Sequence, residues 1–224
     1  MGAQAASSET VREAFVSAIA RNDAYRAEQA VLGAIDAGMP VRAVYLEVIQ
    51  PALHEIGRRW ELGELTVAQE HLATATAQAI IARLAPLLAD AGRPPRRPGR
   101  AIVACTPGEQ HSVGARFVAD FLEADGWEVL ALGPSTPVDA LIEMVTTTTP
   151  EVVALSTSLT PGLGSAREVL SVLKSLEPRP LIAAGGCAYE GRGDLARNLG
   201  ADLYADDAEE LRDLLRDDRL AASP

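Results

Sequence analysis

The stretch AGRPPRRPGR, residues 91–100, constrains this chain more than any other. Its three prolines, two glycines and four arginines cannot continue a helix, because proline lacks the amide donor and its ring collides with the preceding turn. Such a composition suits an exposed linker. The hydrophobic period changes across it, so the chain is expected to form two domains, 1–92 and 100–224.

Before the linker the pattern is helical. Ser8 is placed to cap a helix running to about Ala20, Asn22 or Asp23 caps the next, and Gly38 ends that one. Pro40 suits the first turn of a third helix, which Pro51 should kink. Thr66 and Gln69 have capping-box spacing at the start of a fourth, residues 66–91. Four helices with short connections make a four-helix bundle.

After the linker, short apolar runs alternate with helical stretches. AIVACT (101–106), EVLAL (128–132), VVALS (152–156), LIAAG (181–185) and DLYA (202–205) read as strands. Continuous apolar runs belong to strands covered on both faces, and strand–helix alternation makes the sheet parallel. Five such units predict a flavodoxin-like doubly wound parallel-sheet domain, with ligands bound beyond the carboxyl ends of the strands.

Composition narrows the function. A net charge of −11 argues against a nucleic-acid surface, which needs a basic patch. No run of 18 apolar residues occurs, and the N-terminal residues lack the pattern of a secretory signal, so no membrane association is expected. Two cysteines, Cys105 and Cys187, do not make a disulfide framework, and a reducing cytoplasm is the expected compartment.

Three strand ends carry polar or glycine-rich segments. They are Gly108-Glu109-Gln110-His111-Ser112-Val113-Gly114, then Leu155-Ser156-Thr157-Ser158-Leu159-Thr160, then Gly185-Gly186. Singly, each reads as ordinary turn chemistry. Together they resemble the cobalamin-binding domain of methionine synthase and its relatives, with Asp-x-His-x-x-Gly, Ser-x-Leu and Gly-Gly in that order. The resemblance covers residues 100–216 and implies a cobalamin whose cobalt is ligated from below by His111, the metal ligand. Imidazole suits a first-row metal, and Glu109 can bond its other nitrogen. Gly114, Ser156, Ser158, Gly185 and Gly186 would line a slot for the nucleotide tail. Glu109 replaces the usual Asp, and Ser158 stands where Leu is usual.

The helical half carries Trp60 followed by Glu70-His71. With the Glu-x-His-x-x-Gly variant, this set resembles the light-sensing CarH-type cobalamin photoreceptors, over residues 8–216. It implies adenosylcobalamin, with Trp60 over its upper face and Glu70-His71 against the adenosyl group. Glu61 follows Trp60 where those repressors carry a histidine, and no helix-turn-helix region precedes the bundle, so direct DNA binding is not expected. The layout also resembles photocobilins, which hold a bilin beside cobalamin, and Arg58 and Arg59 could pair biliverdin propionates. No catalytic constellation is recognisable beyond the corrin site, so the expected output is a change in assembly or in binding to an unidentified protein partner. Ala- and Leu-rich bundle faces offer a surface for a homodimer. The alternative is a corrinoid protein carrying methyl groups for a methyltransferase system.

Overall fold

The computed structural model describes residues 7–89, 99–189 and 191–222. The chain divides into two compact units, Met1–Leu88 and Ala89–Pro224. Most of the expected linker, 91–98, lies outside the described residues, and Arg100 already belongs to the first strand.

The first unit is helical. Helix α1 (Ser8–Ile19) is capped by Ser7 rather than Ser8, the Ser7 hydroxyl accepting the Thr10 amide at 3.3 Å. Asp23 caps α2 (Ala24–Asp36) by accepting the Arg26 amide at 3.0 Å. A third helical run begins with α3 (Val41–Ala43), widens into a π-helical stretch (Val44–Ile49) and returns to α-helix in α4 (Gln50–Glu61). The π stretch ends at Ile49, two residues before Pro51. Proline disrupts the regular ladder, and the expected kink is expressed as this widened stretch. Thr66 and Gln69 form the expected capping box at the start of α5 (Val67–Ala89): the Gln69 side chain accepts the Thr66 amide at 2.9 Å, and the Thr66 hydroxyl accepts the Gln69 amide at 3.3 Å.

Phe15, Ile19, Tyr45, Ile49, Ile56, Ile81 and Leu84 are fully buried in this unit. Each such side chain contributes about 1.5–3 kcal/mol of burial. The Tyr45 hydroxyl donates to the Ile81 carbonyl at 3.2 Å, so the largest of them leaves no polar group stranded.

The second unit alternates strands and helices: β1 (Arg100–Cys105), α6 (Val113–Ala124), β2 (Glu128–Gly133), α7 (Val138–Thr148), β3 (Val152–Ser156), α8 (Leu163–Lys174), β4 (Leu181–Gly185), α9 (Gly193–Leu199), β5 (Leu203–Ala205) and α10 (Ala208–Ala222). All pairings are parallel, in the order β2-β1-β3-β4-β5. This is the flavodoxin-like order, whose switch point falls between β1 and β3.

The pleat divides the strand residues between two cores. Ile102, Ala104, Val153, Leu155 and Ile182 pack with Leu141, Val145, Val169, Leu170 and Leu173 of α7 and α8. Ala101, Val103, Cys105, Val152, Ala154 and Ala183 pack with Ala115, Ala119 and Leu122 of α6 and Leu211 and Leu215 of α10. On this second face side chains shrink toward the carboxyl edge: Val152, Ala154, Ser156 along β3; Leu181, Ala183, Gly185 along β4; Leu203, Ala205 along β5. Helix α6 shrinks in the same sense, from Leu122 back through Ala119 and Ala115 to Gly114. The layer between them is thinnest in side chain where a ligand of this fold enters.

Candidate functional site

The loop after β1 is tied down at several points. The Glu109 amide donates to the Thr106 carbonyl at 3.0 Å, the Gly108 amide to the Ser135 hydroxyl at 3.1 Å, and the Ser135 amide to the Glu109 carbonyl at 2.8 Å. These bonds hold the loop against the end of β2.

Within it, Glu109 is only 4% exposed, which for a carboxylate requires partners. One oxygen accepts the His111 amide at 2.8 Å and His111 Nδ1 at 2.5 Å. The other accepts the amides of Ser158 at 2.7 Å and Leu159 at 3.1 Å. Glu109 therefore joins the loops that follow β1 and β3, across the switch point. Burial alone would raise its pKa, but the hydrogen bonds from His111, Ser158 and Leu159 outweigh it and hold the carboxyl below its usual range.

An ionised Glu109 makes Nδ1 of His111 the protonated nitrogen and leaves the lone pair on Nε2. The imidazole is 59% exposed. A buried carboxylate orienting an exposed imidazole is how metal-ligating histidines are held. Among the described residues no group of three or more His, Cys, Asp or Glu side chains could hold a bare metal ion. One oriented imidazole instead suits a metal whose remaining positions are filled by a macrocycle. Cys105 lies buried beneath the loop, its Sγ 3.8 Å from the His111 carbonyl, and burial, assisted by the Glu109 charge, pushes its thiol up to about 11.

The glycines separate into two kinds. A Cβ on Gly186, whose φ is +111°, would collide with the Thr157 backbone, and one on Gly185 would lie 2.7 Å from the Ala205 carbonyl oxygen. Contacts within the protein suffice to explain both, and room for a ligand is not needed to account for them. Gly114 differs. A Cβ there would meet only Ser156 Oγ, at an ordinary 3.9 Å. No contact within the protein demands glycine at that position, at the thin end of the α6 face.

Thr106 and Thr157 escape a sequence reading. Both are fully buried at the ends of β1 and β3, their hydroxyls 3.3 Å apart. The Thr157 amide donates to the Gly185 carbonyl at 3.0 Å, and the Thr157 carbonyl accepts the Ala188 amide at 3.2 Å. In sequence Thr106 only closes the apolar run AIVACT, and Thr157 follows a strand, indistinguishable from a turn residue. Ser158 enters the Glu109 arrangement through its backbone amide, which no residue type signals.

In the helical unit, Trp60 stands in the last turn of α4 and is 45% exposed, unusual for so large an aromatic side chain. Glu70 lies in the first turn of α5. Its carboxylate accepts the Thr74 hydroxyl at 2.8 Å and pairs with His71 Nδ1 at 2.6 Å. His71 itself is largely exposed. Of the small residues that follow, Ala73 and Ala77 are buried in the bundle core and Ala75 and Ala79 face outward.

Comparison with known proteins bears on both halves. Residues 99–213 match a B12 binding domain, and residues 11–85 match a second family, also described as a B12 binding domain. The chain is 34% identical over 88% of its length to the HTH-type transcriptional repressor CarH of Myxococcus xanthus, and spans 64% of that protein. It is 27% identical over 70% of its length to dimethylamine corrinoid protein 3 of Methanosarcina mazei, covering 94% of it. The monomethylamine corrinoid protein of Methanosarcina barkeri shares the fold, with a TM-score of 0.79 at 19% identity over 93% of this chain and 98% of that one. On the sequence match of its sheet unit, the chain belongs to the B12-binding domain family and is a cobalamin-binding protein.

Proposed function

We propose that this chain is a light sensor that holds adenosylcobalamin, with His111 as the lower cobalt ligand. The observation that carries the ligation is the His111 ring fixed through Nδ1 by buried Glu109, with Nε2 left as the lone-pair nitrogen. Gly114, Ser156 and Ser158 would accept the nucleotide tail along the thin edge of the sheet, while Gly185 and Gly186 let the neighbouring loops approach. Trp60 would cover the upper face, with Glu70 and His71 against the adenosyl group. When bound, adenosylcobalamin supplies a cobalt–carbon bond that light can break.

The light reading rests on Trp60 with Glu70-His71, on the Glu-x-His-x-x-Gly variant and on the similarity to CarH. The output would be a change in assembly, with a homodimer as the expected unit, or in binding to a protein partner in the cytoplasm. A bilin such as biliverdin would serve as a second chromophore. The similarity to methylamine corrinoid proteins supports a second reading, a methyl carrier for a methyltransferase.

One set of measurements separates them. Purified chain is loaded with adenosylcobalamin, and its visible spectrum and mass by light scattering are recorded before and after green light. A light-dependent spectral change with altered mass supports the sensor. Complete photolysis with neither mass nor protease sensitivity changed, together with demethylation of the methylcobalamin-loaded form by a methyltransferase, favours the carrier. His111→Ala should change the spectrum of the bound cofactor, and unaltered spectrum and affinity would exclude His111 as the ligand.

A further inference from the structure

The helical unit contains a cavity of about 660 Å³ between α1 and α4, built without any of the corrinoid-motif residues. Arg12 and Arg21 line it from α1 and the turn after it, and His54, Glu55, Arg58 and Arg59 line it from α4. Four guanidiniums face two carboxylates, Glu13 and Glu55. The lining is thus cationic in a chain whose net charge is −11.

The arginines of α4 are held ready. Glu55 accepts Arg58 through Nε and Nη2, at 2.8 and 2.9 Å, and Arg59 through Nε at 2.7 Å. A single carboxylate thereby fixes two guanidiniums on one helix face. The hydrogen bonds described for Arg59 use Nε alone, and those for Arg58 leave Nη1. Across the cavity, Arg21 is steadied by the Ser17 hydroxyl at 2.7 Å. Guanidinium forks recognise planar or tetrahedral oxyanions through paired N–H groups. The volume falls within the range of about 300–1,000 Å³ typical of small-molecule sites. It exceeds what an inorganic ion needs, and Val16, Ala20 and Pro51 give the lining an apolar part.

We infer that this cavity is a binding site for an organic oxyanion carrying two or more carboxylate or phosphate groups, with Arg21, Arg58 and Arg59 as its anchors. Glu55 is the internal anion that holds the arginines in the ligand's absence and competes with it. None of the corrinoid-site residues lines the cavity, so the inference does not depend on that site; Arg58 and Arg59 are also the arginines that would pair bilin propionates, and the probes therefore exclude a bilin.

The test is calorimetric titration of the purified full chain, with and without cobalamin, using ATP for the phosphate source and citrate for the carboxylate source. Saturable binding of either is expected. The Arg58→Gln/Arg59→Gln variant should weaken it by roughly tenfold or more, as loss of charge-assisted hydrogen bonds does, with helical circular dichroism retained. Arg21→Gln, on the opposite wall, should weaken the same binding without touching the Glu55 clasp. Glu55→Gln should tighten it by removing the competitor. ATP binding assigns a phosphate ligand and citrate binding a carboxylate one. Absence of saturable binding of both probes up to about 1 mM, indifference to the arginine substitutions, or unchanged or weakened binding in Glu55→Gln overturns the inference.

Discussion

Replacing Gly114 and Gly186 separately by alanine should produce opposite effects on stability and ligand binding. At Gly186 the new Cβ meets backbone, not a side chain that can turn away: the Thr157 carbonyl carbon would lie 2.8 Å off and its amide nitrogen 3.0 Å. The φ of +111° adds strain for any L side chain, about 1–2 kcal/mol. With an overpacking cost of about 1–3 kcal/mol, the loss is roughly 3 kcal/mol, or roughly a 10 °C fall in thermal midpoint. At Gly114, in the first turn of α6, the Cβ meets only Ser156 Oγ at 3.9 Å. Alanine there should be neutral or stabilise the ligand-free chain by about 0.5 kcal/mol through reduced backbone freedom. A methyl placed where the nucleotide tail passes should cost about 1–3 kcal/mol of binding, tenfold or more in affinity. Thermal melts of the ligand-free variants and absorbance titrations with cobalamin read both effects. Cobinamide, which lacks the tail, should bind the Gly114→Ala chain as it binds the parent. Unchanged cobalamin affinity in Gly114→Ala, or a Gly186→Ala chain as stable as the parent, would refute the division of these glycines into ligand and packing roles.

Other outcomes follow from the same geometry. Glu109→Gln turns an amide NH₂ toward donors on one side of the bridge, so it should destabilise the chain by about 2–4 kcal/mol and shift the visible spectrum of bound cobalamin; a normal spectrum would show that His111 is oriented by other means. Trp60→Ala should weaken adenosylcobalamin more than hydroxocobalamin, since only the former presents a large upper group, and equal losses would make Trp60 structural. Hydrogen bonds from Arg58 and Arg59 hold the Glu55 carboxyl at about 2, down from 4.5. Its contribution to folding is therefore present above pH 4.5 and lost as the pH falls through about 2. Carbon-detected NMR titration of the Glu55 carboxyl should show this low value, and Arg58→Gln/Arg59→Gln should return it toward 4.5. Thr66→Ala should cost about 1 kcal/mol of helix stability through the lost cap, read as a lower thermal midpoint.

Local chemistry was legible in the residues themselves. Continuous runs such as VVALS and LIAAG read as strands covered on both faces, and they occupy Val152–Ser156 and Leu181–Gly185 as expected. The Thr66–Gln69 cap and the Glu109–His111 pair likewise join groups only a few positions apart, so spacing alone brings them together. Capping at Ser7 rather than Ser8 lay beyond that reach, since adjacent serines offer the same hydroxyl and only backbone geometry distinguishes them. Pro51 signalled a break in its helix, but the widening over Val44–Ile49, upstream of it, was not legible in residue type. Tertiary structure alone decided that Glu109 also binds the amides of Ser158 and Leu159, about fifty residues away, because backbone amides are alike in every residue but proline. It alone separated Gly114 from Gly186, a difference set by what lies opposite each Cα. It also gathered Arg21 and Arg58 around one cavity, because which helix faces meet is settled by burial of the apolar stripes, and the polar residues beside those stripes are carried along with them.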